Sequence, residues 1–168
     1  GIIIRQENST ELSVICNLIE KAFADMPKAT SGTPFSRQTA YSDTYIPELS
    51  LVAKTEKGEI VGYILLTKVE IVSENEIHTS LALAPLAVLP EYQNRGIGGM
   101  LLKESHKRAA THGYGTALLL GHKEKSFSLY ILNLNKEYET EPIYFIVPFV
   151  TILFMTCLLY TSPSPRDA

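Results

Sequence analysis

The chain has 168 residues, of which 45% are apolar and 20% are charged, and its formal net charge is −3. A chain of this size can bury one ordinary hydrophobic core without disulfides or a structural metal. The slight acidity gives no reason to expect a nucleic acid or an anionic membrane surface as a partner. Cys16 and Cys157 have neither a disulfide nor a metal-binding spacing, so we expect a cytoplasmic protein without a metal site.

The first predicted elements are a short strand and an amphipathic helix. Residues 2–5 form the strand, and apolar residues recur at helical spacing over 12–23, after Ser9 or Thr10 as the N-cap. The next segment, 25–47, turns polar and contains proline and glycine. It is therefore predicted to be a loop or a broken helix.

A hairpin and another strand follow. Residues 49–54 and 59–72 are predicted strands on either side of a Glu56-Lys57-Gly58 turn. A further apolar strand ends at Val88. Later in the chain, the short apolar run 116–120 is typical of a central parallel strand.

A glycine-rich turn connects the strand that ends at Val88 to a predicted helix over 100–110. Its sequence is Gln93-Asn94-Arg95-Gly96-Ile97-Gly98-Gly99. Glycines lack the Cβ atoms that would keep a bulky anion away, and a helix N-terminus offers unpaired N–H groups and a positive dipole end. The turn is therefore predicted to bind a phosphate or pyrophosphate.

The spacing of the glycines limits which phosphate-containing ligand the turn could bind. A dinucleotide site needs G-x-G-x-x-G, and a P-loop needs Lys-Ser or Lys-Thr after its last glycine; neither pattern is present. An ordinary helix start would not explain Gly98 and Gly99, because each glycine lowers the stability of a helix by about 1 kcal/mol relative to alanine.

The turn resembles motif A of the GNAT superfamily of acyl-CoA-dependent N-acetyltransferases, written Q/R-x-x-G-x-G/A. Gln93, Arg95, Gly96 and Gly98 are in register with it, and the flanking strand and helix fit as well. The resemblance covers about residues 2–124 and extends to a bacterial subgroup of predicted N-acetyltransferases. It implies a single α/β domain with a mixed, mostly antiparallel central sheet, splayed at the fourth strand, and helices on both faces.

The resemblance also implies acetyl-CoA as the co-substrate. The pantetheine arm would pair with the end of the strand before the turn, and the pyrophosphate would lie on the turn. The implied cofactor-binding residues are Leu86, Ala87, Val88, Gln93, Asn94, Arg95, Gly96, Ile97, Gly98 and Gly99. The acetyl group would pass to an amine by direct attack on the thioester, and the acceptor, a small molecule or a peptide, has no motif that identifies it.

Transfer needs a base for the amine proton and an acid for the leaving thiolate. Glu48 is a candidate base or acceptor anchor, with a solvated loop carboxylate as the alternative. His122 follows an apolar strand at the end where ligand sites tend to lie, and it either shuttles a proton or caps the strand. The family's acid is commonly a tyrosine ahead of a Gly-Phe pair that this chain lacks. Tyr130 is near that position but four or five residues late.

The C-terminal region leaves several alternatives open. The uncharged stretch 143–160 is about long enough to cross a bilayer as a tail anchor. Residues 157–168, however, resemble a translated sequencing adapter. We expect a domain over 1–156 that is truncated at its C-terminus, followed by a non-native tail over 157–168. A non-catalytic acyl-CoA-binding module, a reading-frame error within 125–156 and a homodimer remain open.

Overall fold

The computed structural model describes residues 1–24, 43–72, 74–123, 126–134 and 143–144, with side chains except at 84, 120–131 and 143–144. The described residues form two helices and seven strands. A 3-10 turn at Pro90–Tyr92 precedes the second helix. The elements are β1 Ile2–Gln6, α1 Leu12–Ala22, β2 Tyr45–Thr55, β3 Ile60–Val72, β4 Ile77–Val88, α2 Ile97–Thr111, β5 Thr116–Lys123, β6 Ser126–Asn133 and β7 Ile143–Tyr144.

The strands form one mixed sheet in the order β1-β2-β3-β4-β5-β6-β7. Strands β4 and β5 pair in parallel, and all the other neighbouring strands pair antiparallel. The predicted central parallel strand is therefore confirmed as β5. It is longer than predicted, since it runs to Lys123.

The two helices cover opposite faces of the sheet. Gly62 of β3 faces α2, since a Cβ there would lie 3.0 Å from Leu101 Cδ1 and 3.2 Å from Ile97 Cγ2. Adjacent strand residues point to opposite faces, so Tyr63 faces the other side, where α1 packs. The continuous buried run 60–67 agrees with a strand covered on both faces. The predicted α/β class, with helices on both faces, is confirmed.

Two bulges lie beside each other across β3. On β2, residues 46–49 stand opposite Leu66 alone, and we call this segment the β2 bulge. On β4, residues 84–85 stand opposite Leu65 alone. Each bulge inserts extra residues and bends its strand locally. The prediction of a loop up to residue 47 is thus wrong at its end, because β2 begins at Tyr45; the part over 25–42 lies outside the described residues.

The predicted cap of α1 is wrong. The N-cap is Glu11 rather than Ser9 or Thr10, and no side chain caps the first turn. Instead, the Glu11 carboxylate accepts the Asn8 backbone N–H at 2.8 Å and pairs with the Arg5 guanidinium. These two contacts place the start of the helix after Glu11. The Arg5 hydrogen bond also lowers the pKa of Glu11.

We expect Glu11→Gln to lower the free energy of unfolding by about 1 kcal/mol at pH 7, because it removes the charge that Arg5 pairs with. A carboxylate whose pKa is lowered by folding stabilises the protein above its unfolded pKa, and this stabilisation is lost as pH falls through the folded pKa. Urea unfolding at pH 7 and at about pH 3 measures the difference. A gap between parent and variant that is equally large at both pH values would contradict the assignment.

Candidate functional site

Strand β4 separates from β5 before it ends. The two strands pair only over Leu81–Leu83 and Ala117–Leu119, although β5 runs on to Lys123. On its other side, β4 stays paired with β3 as far as Val88. Within the described residues, the backbone of 86–88 therefore has a sheet neighbour on the β3 side only. The sheet is splayed at the fourth strand, as predicted, and a strand edge with one sheet neighbour suits an extended ligand.

Pro85 lies in the β4 bulge, next to this opening. A proline has no N–H to donate to a neighbouring strand, so it fits a position where regular pairing stops. The bulge and the separation from β5 together leave 86–88 as a short strand edge that leads towards the glycine-rich turn.

Residues 93–99, which we call the glycine loop, join this edge to α2. Gly96 is the N-cap of α2 and has a φ of 81°, and Asn94 before it has a φ of 60°. Both values lie in the left-handed region, where glycine is favoured and asparagine is tolerated. Helix α2 starts at Ile97, three residues before its predicted start at 100, so Gly98 and Gly99 lie in its first turn.

The protein itself does not require glycine at two positions of the loop. A Cβ at Gly98 would lie 4.0 Å from Leu86 Cδ2 and Val88 Cγ2, and a Cβ at Gly99 would have no neighbour within 4 Å. No side chain caps the first turn of α2. The loop therefore presents free helix N–H groups beside the β4 edge, with room for a phosphate group.

The Gln93 side chain holds the loop against the end of β4. Its Nε2 donates to the Val88 carbonyl at 3.0 Å. The Arg95 guanidinium lies 5.1 Å from the centroid of the Tyr92 ring, and the Tyr92 hydroxyl donates to Glu59 at 2.9 Å. The side chains of Gln93 and Arg95 thus contact other residues of the protein. Their direct contacts with a ligand remain predictions.

We expect Gln93→Ala to weaken acetyl-CoA binding about threefold, because one hydrogen bond that fixes the loop is lost. Isothermal titration of acetyl-CoA into parent and variant measures the change, with a thermal melt as the control for folding. An unchanged dissociation constant would show that the Gln93 contact does not support the loop.

The three candidate catalytic residues lie on three different strands. Glu48 is exposed on the β2 bulge, inside β2 rather than ahead of the strand as predicted. His122 was predicted to come after the strand, but it lies within β5, opposite Phe127. Tyr130 lies on β6, opposite Leu119. The side chains of His122 and Tyr130 lie outside the described residues, so their catalytic roles remain predictions.

A partly buried polar cluster was not predicted from the sequence. Ser50 Oγ donates to Glu7 Oε1 at 2.7 Å, and the Tyr45 hydroxyl donates to the same oxygen. Because the Ser50 proton is used there, the Tyr63 hydroxyl, 2.7 Å from Ser50 Oγ, is the donor to Ser50. Tyr45 and Ser50 lie on β2, Tyr63 lies on β3 and Glu7 directly follows β1, so no local motif marks the cluster.

Two other groups have shifted pKa values caused by burial. Desolvation raises the pKa of the Cys16 thiol, which fits a packing residue better than a nucleophile. Desolvation lowers the pKa of His106 on α2, and among the described residues its Nε2 has no hydrogen-bond partner. Neither group lies in the glycine loop.

The described part of the chain contains no group of three His, Cys, Asp or Glu side chains arranged to hold a metal ion. In the same residues, no helix combines the length and the hydropathy that a membrane crossing needs.

Comparison with known proteins assigns the family. The family model described as acetyltransferase (GNAT) family matches residues 17–130. The chain belongs to the GNAT family. A curated GNAT relative is the uncharacterized N-acetyltransferase YjhQ of Escherichia coli strain K12, which is 42% identical over 76 residues. That alignment covers 45% of this chain and 41% of YjhQ, so the chain spans less than half of the relative's length.

Solved structures show the same GNAT fold. An acetyltransferase from Brucella melitensis in complex with acetyl-CoA aligns with a TM-score of 0.68 and 22% identity, over 86% of this chain and 96% of that one. YhbS from Escherichia coli in complex with CoA aligns with a TM-score of 0.59 and 23% identity, over 71% of this chain and 62% of YhbS.

Proposed function

We propose that this GNAT-family chain is an acetyl-CoA-dependent N-acetyltransferase that moves an acetyl group to a small-molecule or peptide amine. The observation that carries the proposal is the strand edge of 86–88, which parts from β5 and leads directly into the glycine loop. A ligand with an extended amide arm that leads to a pyrophosphate matches this surface. The acetyl-CoA and CoA complexes of structural neighbours support the same ligand.

The donor half of the proposed site uses mainly backbone groups. The edge of Leu86, Ala87 and Val88 pairs with the pantetheine arm as an added strand would. The N–H groups of residues 94–99 bind the pyrophosphate, helped by the positive end of the α2 dipole. A backbone N–H near Val88 polarises the thioester carbonyl as negative charge develops on its oxygen.

The acceptor half supplies the proton transfers. A neutral amine attacks the thioester carbon, so that a C–N bond forms and the C–S bond breaks. Glu48 is the proposed base for the amine proton, or the anchor for the acceptor. His122 and Tyr130 are the proposed sources of the proton that the leaving thiolate takes up.

An amine panel tests the proposed function. The 168-residue chain is incubated with acetyl-CoA and spermidine, glucosamine, lysine or alanylglycine, and free thiol is measured over time. We expect at least one amine to raise thiol release well above the rate of acetyl-CoA hydrolysis. Tight CoA binding without turnover of any amine would instead favour a non-catalytic acyl-CoA-binding module, the alternative suggested by the missing Gly-Phe pair.

A further inference from the structure

One carboxylate holds both ends of the β2 bulge. Tyr45 precedes residues 46–49 and Ser50 follows them. Glu7 Oε1 accepts a hydrogen bond from each of their hydroxyls. The Glu7 backbone N–H also donates to the Ser50 carbonyl at 3.0 Å. Glu7 thus clamps the bulge where it leaves the sheet and where it returns.

The clamp is anchored in the core of the protein. Ser50 and Tyr63 are both 0% exposed, and their hydroxyl oxygens are 2.7 Å apart. Burial raises the pKa of Tyr63 well above its ordinary value, and the charge of Glu7 adds to the rise, so the hydroxyl keeps its proton. Tyr63 is directly opposite Ala87, on the strand that forms the proposed donor edge. The clamp therefore connects β1, β2 and β3 beside that edge.

Glu48 lies on the β2 bulge, and the two bulges flank neighbouring residues of β3. Residues 46–49 face Leu66, and the β4 bulge faces the adjacent Leu65. Glu48 itself is exposed. Burial and the hydrogen bond to Glu7 raise the pKa of Tyr45, and the charges of Glu7 and Glu48 add to the rise.

We infer that Glu7 is a positioning residue for the acceptor half of the reaction, because it fixes the bulge that carries Glu48. The inference rests on the proposed function and on Glu48 as its acceptor-side carboxylate. Glu7 acts through Tyr45, Ser50 and the backbone between them, not on the reacting atoms. Misplacing a reacting group by about 1 Å costs about 100-fold in rate, so a loosened bulge lowers turnover although Glu48 is still present.

A double-mutant cycle tests the inference. The full chain carries Glu7→Ala, Glu48→Gln or both, and kcat/KM is measured for the fastest amine among spermidine, glucosamine, lysine and alanylglycine. Each single change is expected to lower kcat/KM about tenfold or more, and the double variant is expected to lie within about twofold of Glu48→Gln alone. Acetyl-CoA affinity stays within about twofold of the parent. Glu7→Gln keeps an oxygen that accepts from both hydroxyls, and most of the rate returns.

Glu11→Gln is the matched control. It changes another carboxylate of the same β1–α1 connection, one that contacts Arg5 and Asn8. It is expected to lower stability and leave kcat/KM unchanged, which separates positioning from a general loss of stability. If Glu7→Ala does not fold, Tyr45→Phe removes one of the two clamp bonds and is measured in its place.

The possible outcomes are distinguishable. The inference is overturned, while the proposed function stands, if Glu7→Ala is as active as the parent. It is also overturned if the losses of kcat/KM from Glu7→Ala and Glu48→Gln add fully in the double variant. A Glu48→Gln variant with unchanged kcat/KM overturns it as well. A parent chain that turns over none of the amines refutes the proposed function, and the inference with it.

Discussion

Gly98→Glu is expected to weaken acetyl-CoA binding about 100-fold, because it places a negative charge within a few ångströms of the proposed pyrophosphate position. Gly98 lies in the first turn of α2, and a side chain there would start beside the side chains of Leu86 and Val88. The new carboxylate would also compete for the helix N–H groups that the pyrophosphate needs. Isothermal titration of acetyl-CoA measures the effect.

Gly98→Ala is the control for this change. A Cβ at this position would be 4.0 Å from its nearest neighbours, which is ordinary contact, and the family pattern accepts alanine here. We therefore expect binding within a few-fold of the parent and a fold at least as stable, since alanine gains up to about 1 kcal/mol over glycine in a helix. If Gly98→Glu bound acetyl-CoA as tightly as Gly98→Ala, the glycine loop would not be the pyrophosphate site.

Gly62→Val is expected to lower the free energy of unfolding by about 3 kcal/mol through overpacking between β3 and α2. A Cβ at Gly62 would lie 3.0 Å from Leu101 Cδ1 and 3.2 Å from both Ala53 Cβ and Ile97 Cγ2. Leu101, Ile97 and Ala53 are all buried, so the added side chain is expected to push α2 away from the sheet. Because α2 carries the glycine loop at its start, acetyl-CoA binding is expected to weaken as well.

Urea unfolding measures this stability change, and Gly99→Ala provides a matched glycine control. A Cβ at Gly99 meets nothing within 4 Å, so that variant is expected to be at least as stable as the parent. Equal unfolding free energies for Gly62→Val and Gly99→Ala would show that the close packing of α2 on β3 is not required.

The arrangement of strand, loop and helix in the proposed donor half was predictable from the sequence because its signals are local. The apolar strand, Pro85, the glycine loop and the helix follow one another in the chain, so their order already describes how they meet in space. Their boundaries were less predictable. Glycine is a poor helix former, and the sequence analysis therefore placed Gly98 and Gly99 before the helix, whereas they form its first turn.

The acceptor half was much less predictable because its contacts are distant in sequence. Glu7 meets Ser50 and Tyr45 only after β1 pairs with β2, and Tyr63 joins them from β3. A serine or tyrosine alone in an apolar strand gives no sign of such a partner. The cap of α1 was mispredicted for a different reason, because Glu11 pairs with Arg5 on β1 and accepts from the Asn8 backbone N–H, a pattern that the Ser or Thr cap rule does not cover.

Amide hydrogen exchange with and without acetyl-CoA tests the central claim most directly, because it maps which backbone N–H groups the ligand covers. The account predicts that added acetyl-CoA slows exchange in two segments, the β4 edge at 86–88 and the glycine loop with the first turn of α2 at 94–100. Helix α1, Leu12–Ala22, lies on the opposite face of the sheet from α2 and serves as an internal reference whose exchange is expected to stay unchanged. Binding of acetyl-CoA without protection of either segment would contradict the account.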